Sequence, residues 1–244
     1  MTATGHQSVE SRWARVGVLL NCAPAAGEPD LERLLLDTAR EVGGNARLLP
    51  LAVTWLVEYG NFVARHRLGR LIRAELELEH RGTLGLILDA AIEIGGAGEL
   101  RTALAACEPA VPARPLSREF DATPALRALA ERTASPASRR WGVWAPPVEL
   151  KGDALRPVSW LLARNPGYRE RIIRKGDLRC SILEALRHDA AGRTHSESEL
   201  ARLAGATRAA VRRALRALVL EGAVAIEPRA ENERDHAVVL RPAA

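Results

Sequence analysis

The 244-residue sequence has little cysteine, only two lysines and no long apolar run, and each shortage narrows what the protein can be. Its three cysteines are widely spaced and form no C-x-x-C pair, which argues against a disulfide framework or a zinc site and favours a reducing cytoplasm. No stretch of about 18 residues is both apolar and free of charge, so we expect no membrane span. The first fifteen residues also lack the apolar core of a secretory signal. We therefore expect a cytoplasmic protein.

The usual signatures of catalysis and of cofactor binding are missing as well. The six histidines form neither H-x-x-x-H nor H-E-x-x-H, and there is no G-x-S-x-G. The glycine-rich stretch 95–98 follows an apolar run but lacks G-x-G-x-x-G and a P-loop lysine, which favours a simple helix–helix loop. Cys180, His188 and His195 are spaced so that they share no helical face, which disfavours a metal site. The sequence predicts no enzyme, no cofactor and no metal.

Charge is distributed unevenly along the chain. Almost all of the 35 basic residues are arginine, and such arginine use beside abundant alanine is typical of a GC-rich genome, so the net charge of +5 does not by itself indicate a partner. Residues 1–135 hold 15 basic and 17 acidic side chains, whereas residues 136–244 hold 20 basic and 13 acidic ones. A bias in genome composition would raise the arginine content of both halves of the chain equally. The difference indicates an anionic partner for the C-terminal half.

Apolar periodicity and proline-rich breaks divide the chain into four segments. Residues 1–15 are predicted to be a disordered tail, and 16–107 to form a helical domain, either a compact bundle or a short solenoid. Residues 108–176 are predicted to be a linker with connecting helices, because 108–122 contain three prolines and little periodicity. Residues 177–244 form the last domain. The predicted fold class is mainly α, with a small β-hairpin near the C-terminus.

Three tryptophans fall together in the predicted linker region. Trp141, Trp144 and Trp160 accompany Pro146 and Pro147, and aromatic residues beside prolines can line a ligand pocket or anchor an interface. The alternative, which we favour, is that they pin the junction between the helical region and the last domain.

The last domain carries local signals for a defined order of elements. An amphipathic helix begins near Leu178, and Ser196-x-x-Glu199 is a capping box that begins a second helix, which ends at Gly205. Thr207 then caps a third helix, predicted to end before a glycine. The predicted ranges are helices over 197–204 and 208–221 and strands over 223–226 and 237–240. This order suits the placement of one helix in a DNA major groove.

Over residues 177–240 the sequence resembles the winged-helix transcriptional regulators of the MarR and ArsR type. The matching positions are Glu199, Leu200, Ala201, Gly205, Thr207, Val211, Arg213, Leu215, Leu218, Gly222 and Val224. Ala210 departs from the pattern, because these families commonly carry Ser or Thr there to reach a phosphate. The resemblance implies a winged helix-turn-helix with a β-hairpin wing that binds double-stranded DNA.

The predicted third helix has one apolar stripe and one basic arc. No acidic residue lies between Arg208 and Leu220, and like charges at i,i+4 cost about 0.2–0.5 kcal/mol per pair, so DNA phosphates would relieve an uncompensated row. We expect Arg208 and Arg212 to reach base edges and Arg213 and Arg216 to contact phosphates. The predicted DNA-binding residues are Thr207, Arg208, Arg212, Arg213, Arg216 and, in the wing turn, Arg229 and Arg234. Acidic residues accompany the last two, so pairing within the wing is an equal alternative there. The alternative for the helix as a whole is an arginine-rich surface used for protein contacts.

Three functional hypotheses follow. In the first, the chain is a sequence-specific transcriptional regulator that acts as a homodimer, and its N-terminal domain dimerises or receives a signal from a small-molecule effector or a protein partner. In the second, it is an antitoxin-like or adaptor subunit whose helical domain binds a protein partner, and a broad apolar patch on residues 29–107 would distinguish it. The third, an enzyme, would require a deep polar pocket with perturbed carboxylates.

Overall fold

A computed structural model describes residues 7–227 and 236–241, and in these residues the protein is mainly helical, as predicted. The helices are α1 (Val9–Arg15), α2 (Leu31–Glu41), α3 (Leu48–Tyr59), α4 (Arg65–Glu75), α5 (Leu78–Gly95), α6 (Arg101–Leu104), α7 (Arg118–Asp121), α8 (Pro124–Thr133), α9 (Pro136–Arg140), α10 (Val158–Arg164), α11 (Tyr168–Arg174), α12 (Leu178–Asp189), α13 (Glu197–Ala204) and α14 (Arg208–Leu220). The strands are β1 (Arg114–Pro115), β2 (Val143–Trp144), β3 (Arg193–Thr194), β4 (Val224–Glu227) and β5 (Ala237–Leu240).

Helices α1 to α6 pack around one continuous apolar core, which also takes in residues from later in the chain. Trp55 of α3 lies near its centre, with its ring 5.6 Å from that of Trp13 and 5.5 Å from that of Tyr59, both edge to face. Its indole N–H donates to the carbonyl oxygen of Val16 at 2.9 Å, so a buried polar atom is satisfied. The structure is a compact bundle. No helix in the described residues combines the length and apolarity that crossing a bilayer requires.

The predicted disordered tail is wrong for residues 7–15, because these residues include α1. Ser8 caps this helix by accepting a hydrogen bond from the backbone N–H of Ser11, and Val9 and Trp13 are fully buried. Two apolar residues four positions apart lie on one helical face, which is enough to dock a two-turn helix on a core. Because the neighbouring residues in the sequence are polar, this short apolar face was not recognised as part of a helix. Residues 1–6 lie outside the described residues.

The prediction that residues 108–122 are a linker is also wrong. This segment contributes to a folded unit that packs against α3 and α5. Strand β1 pairs in parallel with β2, with Pro115 opposite Trp144, and helices α7 to α9 connect the two. Pro124 and Pro136 stand in the first turns of α8 and α9, where proline starts a helix rather than breaking one. Residues 136–140, within the predicted region of linker and connecting helices, are therefore helical.

A second apolar core lies between α12, α13, α14 and a three-stranded antiparallel sheet of order β3-β5-β4. Val224 is paired with Leu240, and Arg193 with Val239. The helices and both longer strands predicted here are confirmed to within about one residue at each end. Strand β3 was not predicted, because two residues are too short to display an alternation.

Candidate nucleic-acid interface

Helices α13 and α14 are joined by a turn whose geometry follows from the predicted capping residues. The Ser196 hydroxyl accepts from the backbone N–H of Glu199 at 3.1 Å, and the Glu199 carboxylate accepts from the N–H of His195 at 2.7 Å. Gly205 ends α13 with φ +74°, a left-handed conformation that favours glycine. Thr207 then caps α14 by accepting from the N–H of Ala210 at 3.3 Å.

Apolar side chains fix the rotation of α14 about its own axis. Val211, Leu215 and Leu218 are buried against α12 and α13, and they recur at helical spacing. The opposite face of α14 is therefore turned to solvent. The four arginines predicted to bind DNA, at positions 208, 212, 213 and 216, all lie exposed on this helix.

The expectation that this arginine row is uncompensated is wrong for two of its members. Arg212 donates to the Glu197 carboxylate through two nitrogens, at 2.7 and 2.9 Å, and the Nε of Arg208 lies 3.5 Å from the same oxygen. The hydrogen bond from Arg212 is the main reason why the pKa of Glu197 is lowered. Glu197 belongs to α13, so the absence of acidic residues within α14 itself did not reveal this partner.

For Arg213 and Arg216 the expected lack of an acidic partner holds in the described residues. Both are exposed, and neither forms an ion pair with any residue in 7–227 or 236–241. Thr207 is exposed at the start of α14, with its hydroxyl oxygen occupied by the cap. Arg229 and Arg234, predicted in the wing turn, lie outside the described residues.

The turn between α13 and α14 is held against α4 of the N-terminal core. A Cβ added at Gly205 would lie 2.3 Å from the carbonyl oxygen of His66, so only glycine allows this approach. The guanidinium of Arg70 donates to the carbonyl oxygen of Leu203 at 3.2 Å, in the last turn of α13. The exposed face of α14 is therefore fixed relative to the N-terminal helices.

A buried cluster of charges ties α12 to α2 and α4. Arg67 of α4 has no solvent exposure and donates to Asp30 at 2.7 Å, Glu32 at 2.8 Å and Asp189 at 2.9 Å. Asp30 and Glu32 lie at the start of α2, whereas Asp189 ends α12. Burial alone would raise the pKa of Asp30, but hydrogen bonding and the charge of Arg67 outweigh it and hold the pKa well below its usual range.

Arg171 makes a second bridge of the same kind. It is fully buried and donates to Glu32 at 2.7 Å and to Glu184 of α12 at 2.6 Å. Burial opposes the ionised form of Glu184, but the charge of Arg171 prevails and lowers its pKa to about 2. This network was not predicted from the sequence, although a glutamate within the apolar run 182–186 was a signal that its carboxylate needed a buried partner.

The three tryptophans do not pin the junction, so that prediction is wrong. Trp141 lies against α5, where its indole N–H donates to Asp89 at 2.7 Å. Trp160 lies beside Gly17, and Trp144 lines a cavity near the start of α3. The junction is instead made largely of arginine–carboxylate pairs. A cluster of aromatic residues in the sequence gives no information about such pairs.

In residues 7–227 and 236–241, no three histidine, cysteine or acidic side chains are placed to hold a metal ion. Cys180, part of the Cys180/His188/His195 set, is buried in α12, and burial raises the pKa of its thiol. Comparison of the chain with protein-family models, with curated proteins and with solved structures finds no match. Functional inference therefore rests on the chain's own residues and geometry.

Proposed function

We propose that the protein is a sequence-specific transcriptional regulator whose C-terminal part is a winged helix-turn-helix that places α14 in the major groove of double-stranded DNA. One observation carries the proposal: α13, a three-residue turn and α14 are followed by the β4–β5 hairpin, and the face of α14 that is not buried carries four arginines. This order and exposure are what docking a recognition helix requires.

The electrostatics of α14 support two kinds of DNA contact. Arg213 and Arg216, with no carboxylate partner in the described residues, are suited to phosphate oxygens. Arg212 is held by Glu197, and because a guanidinium has five N–H donors, it keeps donors for a guanine edge while its orientation is fixed. Glu197 would thus position the base-reading arginine.

A homodimer is part of the proposal. One recognition helix reads few base pairs, whereas two copies related by a two-fold axis read a palindrome. Because buried ion pairs fix α12 against α2 and α4, the N-terminal helices would set the spacing of the two recognition helices. A signal received there would act only by favouring one spacing over another.

The antitoxin-like or adaptor alternative called for a broad apolar patch on residues 29–107. In that range the well-exposed large apolar side chains are Leu78 and Ile94, 64 % and 46 % exposed. They lie near opposite ends of α5, about 24 Å apart along the helix axis at 1.5 Å per residue. No observation therefore favours this alternative over DNA binding.

The decisive experiment is selection of binding sites from random-sequence duplex DNA with the purified protein at two salt concentrations. We expect an enriched two-fold motif, bound roughly 10³-fold or more tightly than background DNA. A population with no motif, whose binding disappears at moderate salt, would contradict the proposal, because it would indicate only generic attraction to a basic surface.

Substitutions on α14 then assign roles to individual arginines. Arg212→Ala should relax the preference at one base position by about 1–3 kcal/mol, whereas Arg213→Ala should weaken binding to all sequences and reduce the salt dependence by about one charge. Arg101→Ala, which removes an exposed arginine from α6, is the matched control and should change neither. Equal weakening of every operator variant by Arg212→Ala would exclude base recognition at that position.

A further inference from the structure

A cavity of about 470 Å³ lies between the start of α3 and the segment 116–151, within the part of the chain that the sequence marked as a linker. We propose that it binds a flat, largely apolar small molecule that carries one anionic group. The volume lies within the range of about 300–1,000 Å³ that is usual for small-molecule sites. The proposal does not depend on DNA binding.

The walls of the cavity are mostly apolar and include two aromatic rings. Leu49 and Pro50 of α3 form one side, and Phe120 of α7, Ala130 of α8 and Trp144 of β2 contribute to the others. Phe120 and Trp144 are only half-buried. A ligand that covers these apolar walls removes both its own apolar surface and that of the walls from water, which is favourable. Aromatic walls favour a flat occupant, which can stack on them or meet their edges.

The wall that carries Trp144 is fixed by backbone hydrogen bonds, so the cavity is preformed. The N–H of Leu116 donates to the carbonyl oxygen of Trp144 at 2.9 Å. The carbonyl oxygen of Ala145 accepts from the N–H of Ser135 at 2.8 Å and from the buried hydroxyl of Ser138 at 2.9 Å. A preformed site loses little conformational entropy when a ligand binds.

The rim of the cavity provides a cation that can exchange its partner. The ammonium group of Lys151, one of the two lysines of the chain, is paired with Glu149 at 3.3 Å. The Glu149 side chain is 84 % exposed, and ion pairs this exposed contribute little, so a ligand anion can take its place at low cost. The guanidinium of Arg127, 5.6 Å from the centre of the Trp144 ring, is itself paired with Asp121 at 2.8 Å and does not line the cavity. Apolar walls, together with one ammonium group at the rim whose present partner is easily exchanged, suit a flat molecule with a single anionic group.

Two fluorescent probes of similar shape test this proposal on the full chain: anilinonaphthalene sulfonate, which is anionic, and phenylnaphthylamine, which is neutral. We expect saturable binding of both to the folded protein. Lys151→Met should weaken binding of the sulfonate about three- to tenfold and leave binding of the neutral probe unchanged, because only the sulfonate uses the ammonium group. Equal effects on the two probes would overturn the assignment of Lys151.

A second variant locates the binding site. Ala46 is exposed at the mouth of the cavity, so Ala46→Trp should block it without disturbing the core and abolish binding of both probes. Ala105→Trp, at an exposed alanine that does not line the cavity, is the matched control and should bind as the wild type does. Circular dichroism and thermal unfolding verify that each variant is folded. Undiminished binding by folded Ala46→Trp, or no saturable binding by the wild type, would overturn the proposal.

Discussion

Two arginines at the junction and two of the four on the exposed face of α14 occupy opposite environments. Arg67 and Arg171 are fully buried, and each binds at least two carboxylates. Arg213 and Arg216 are exposed, and neither meets an acid in residues 7–227 or 236–241. The residue type is the same, so its abundance does not indicate its role. The role depends on whether the fold brings carboxylates to the guanidinium or leaves it for an anion from outside.

The buried set determines how the two apolar cores are joined. Charged pairs inside a protein lose much of their attraction to desolvation, so they add little net stability compared with apolar packing. They do penalise any arrangement that leaves one partner unpaired, and here the partners come from α2, α4, α11 and α12. We infer that the network favours one relative orientation of the cores, and with it one direction for the exposed face of α14.

The largest expected effect comes from removing a buried arginine. Arg171→Met leaves the buried Glu32 and Glu184 without one of their cations, and we expect the free energy of unfolding to fall by about 3–5 kcal/mol. Urea unfolding measures this loss. Arg216→Met makes the same chemical change on α14 and should alter stability by less than about 0.5 kcal/mol.

A second substitution distinguishes loss of an ion pair from loss of packing. Adding Glu184→Leu to Arg171→Met removes a buried acid that the first change left without one of its two arginine partners, so the double variant should recover part of the stability. Similar small losses for Arg171→Met and Arg216→Met would contradict the distinction between the two sets of arginines.

The next largest effect concerns the contact between the α13–α14 turn and α4. Gly205→Ala combines a left-handed backbone with a Cβ placed 2.3 Å from the carbonyl oxygen of His66, and we expect a loss of about 2–3 kcal/mol. Gly222 has a similar φ of +71° but nothing within 4 Å of a Cβ, so Gly222→Ala should cost only about 1 kcal/mol. Thermal unfolding of both variants gives the difference. Equal losses would mean that the turn does not press on α4.

The C-terminal elements could be predicted because their signals are local. The capping box at Ser196, the glycine at 205 and the cap at Thr207 each act within a few residues, and the structure has them where the sequence placed them. The pairing of Arg212 with Glu197 could not be predicted in the same way. Its partners are 15 residues apart on different helices, and only the turn brings them together.

The wrong predictions for residues 7–15 and 108–122 share one physical cause: the structure of these segments depends on residues far away in the sequence. Strand β1 is two residues long and exists because it pairs with β2, 29 residues away at Arg114 and Val143. Helix α1 is short and is held by the core around Trp55 rather than by its own propensity. The aromatic and proline residues around 144–147 indicated that a ligand pocket was one option, but the start of α3, which forms its other wall, is about 95 residues earlier.

A smaller effect is expected for the acid that compensates part of the α14 row, and this prediction rests on the proposed function. Glu197→Gln removes the carboxylate partner of Arg212 and leaves this guanidinium for a phosphate, so DNA should bind more tightly and the salt dependence should increase by about one charge. Sequence preference should fall, because Arg212 loses the group that orients it. Fluorescence anisotropy over a salt series measures both. Glu93→Gln removes one negative charge from α5 and should change neither; equal responses would mean that only net charge matters.

The smallest effect tests whether the junction responds to pH. The ring of His188 lies 3.4 Å from Glu184 and 4.0 Å from Asp30, with Arg67 opposing them. Burial lowers the pKa of His188, but the hydrogen bond to Glu184 and the two carboxylate charges outweigh it and raise the pKa above its ordinary value of about 6.5. The resulting stabilisation is fully present below about pH 6.5 and is lost as the pH rises through the folded-state pKa.

His188→Gln should therefore destabilise the protein more at about pH 6 than at about pH 9, when urea unfolding of wild type and variant is compared at both values. Burial lowers the pKa of His66 and His80, and their opposite contribution cancels because both proteins contain them. Glu184 and Asp30 stay ionised throughout this range, since their pKa values are lowered. A difference that does not vary with pH would mean that arginines alone neutralise these carboxylates, and the junction would then be as insensitive to pH as the arginine face of α14.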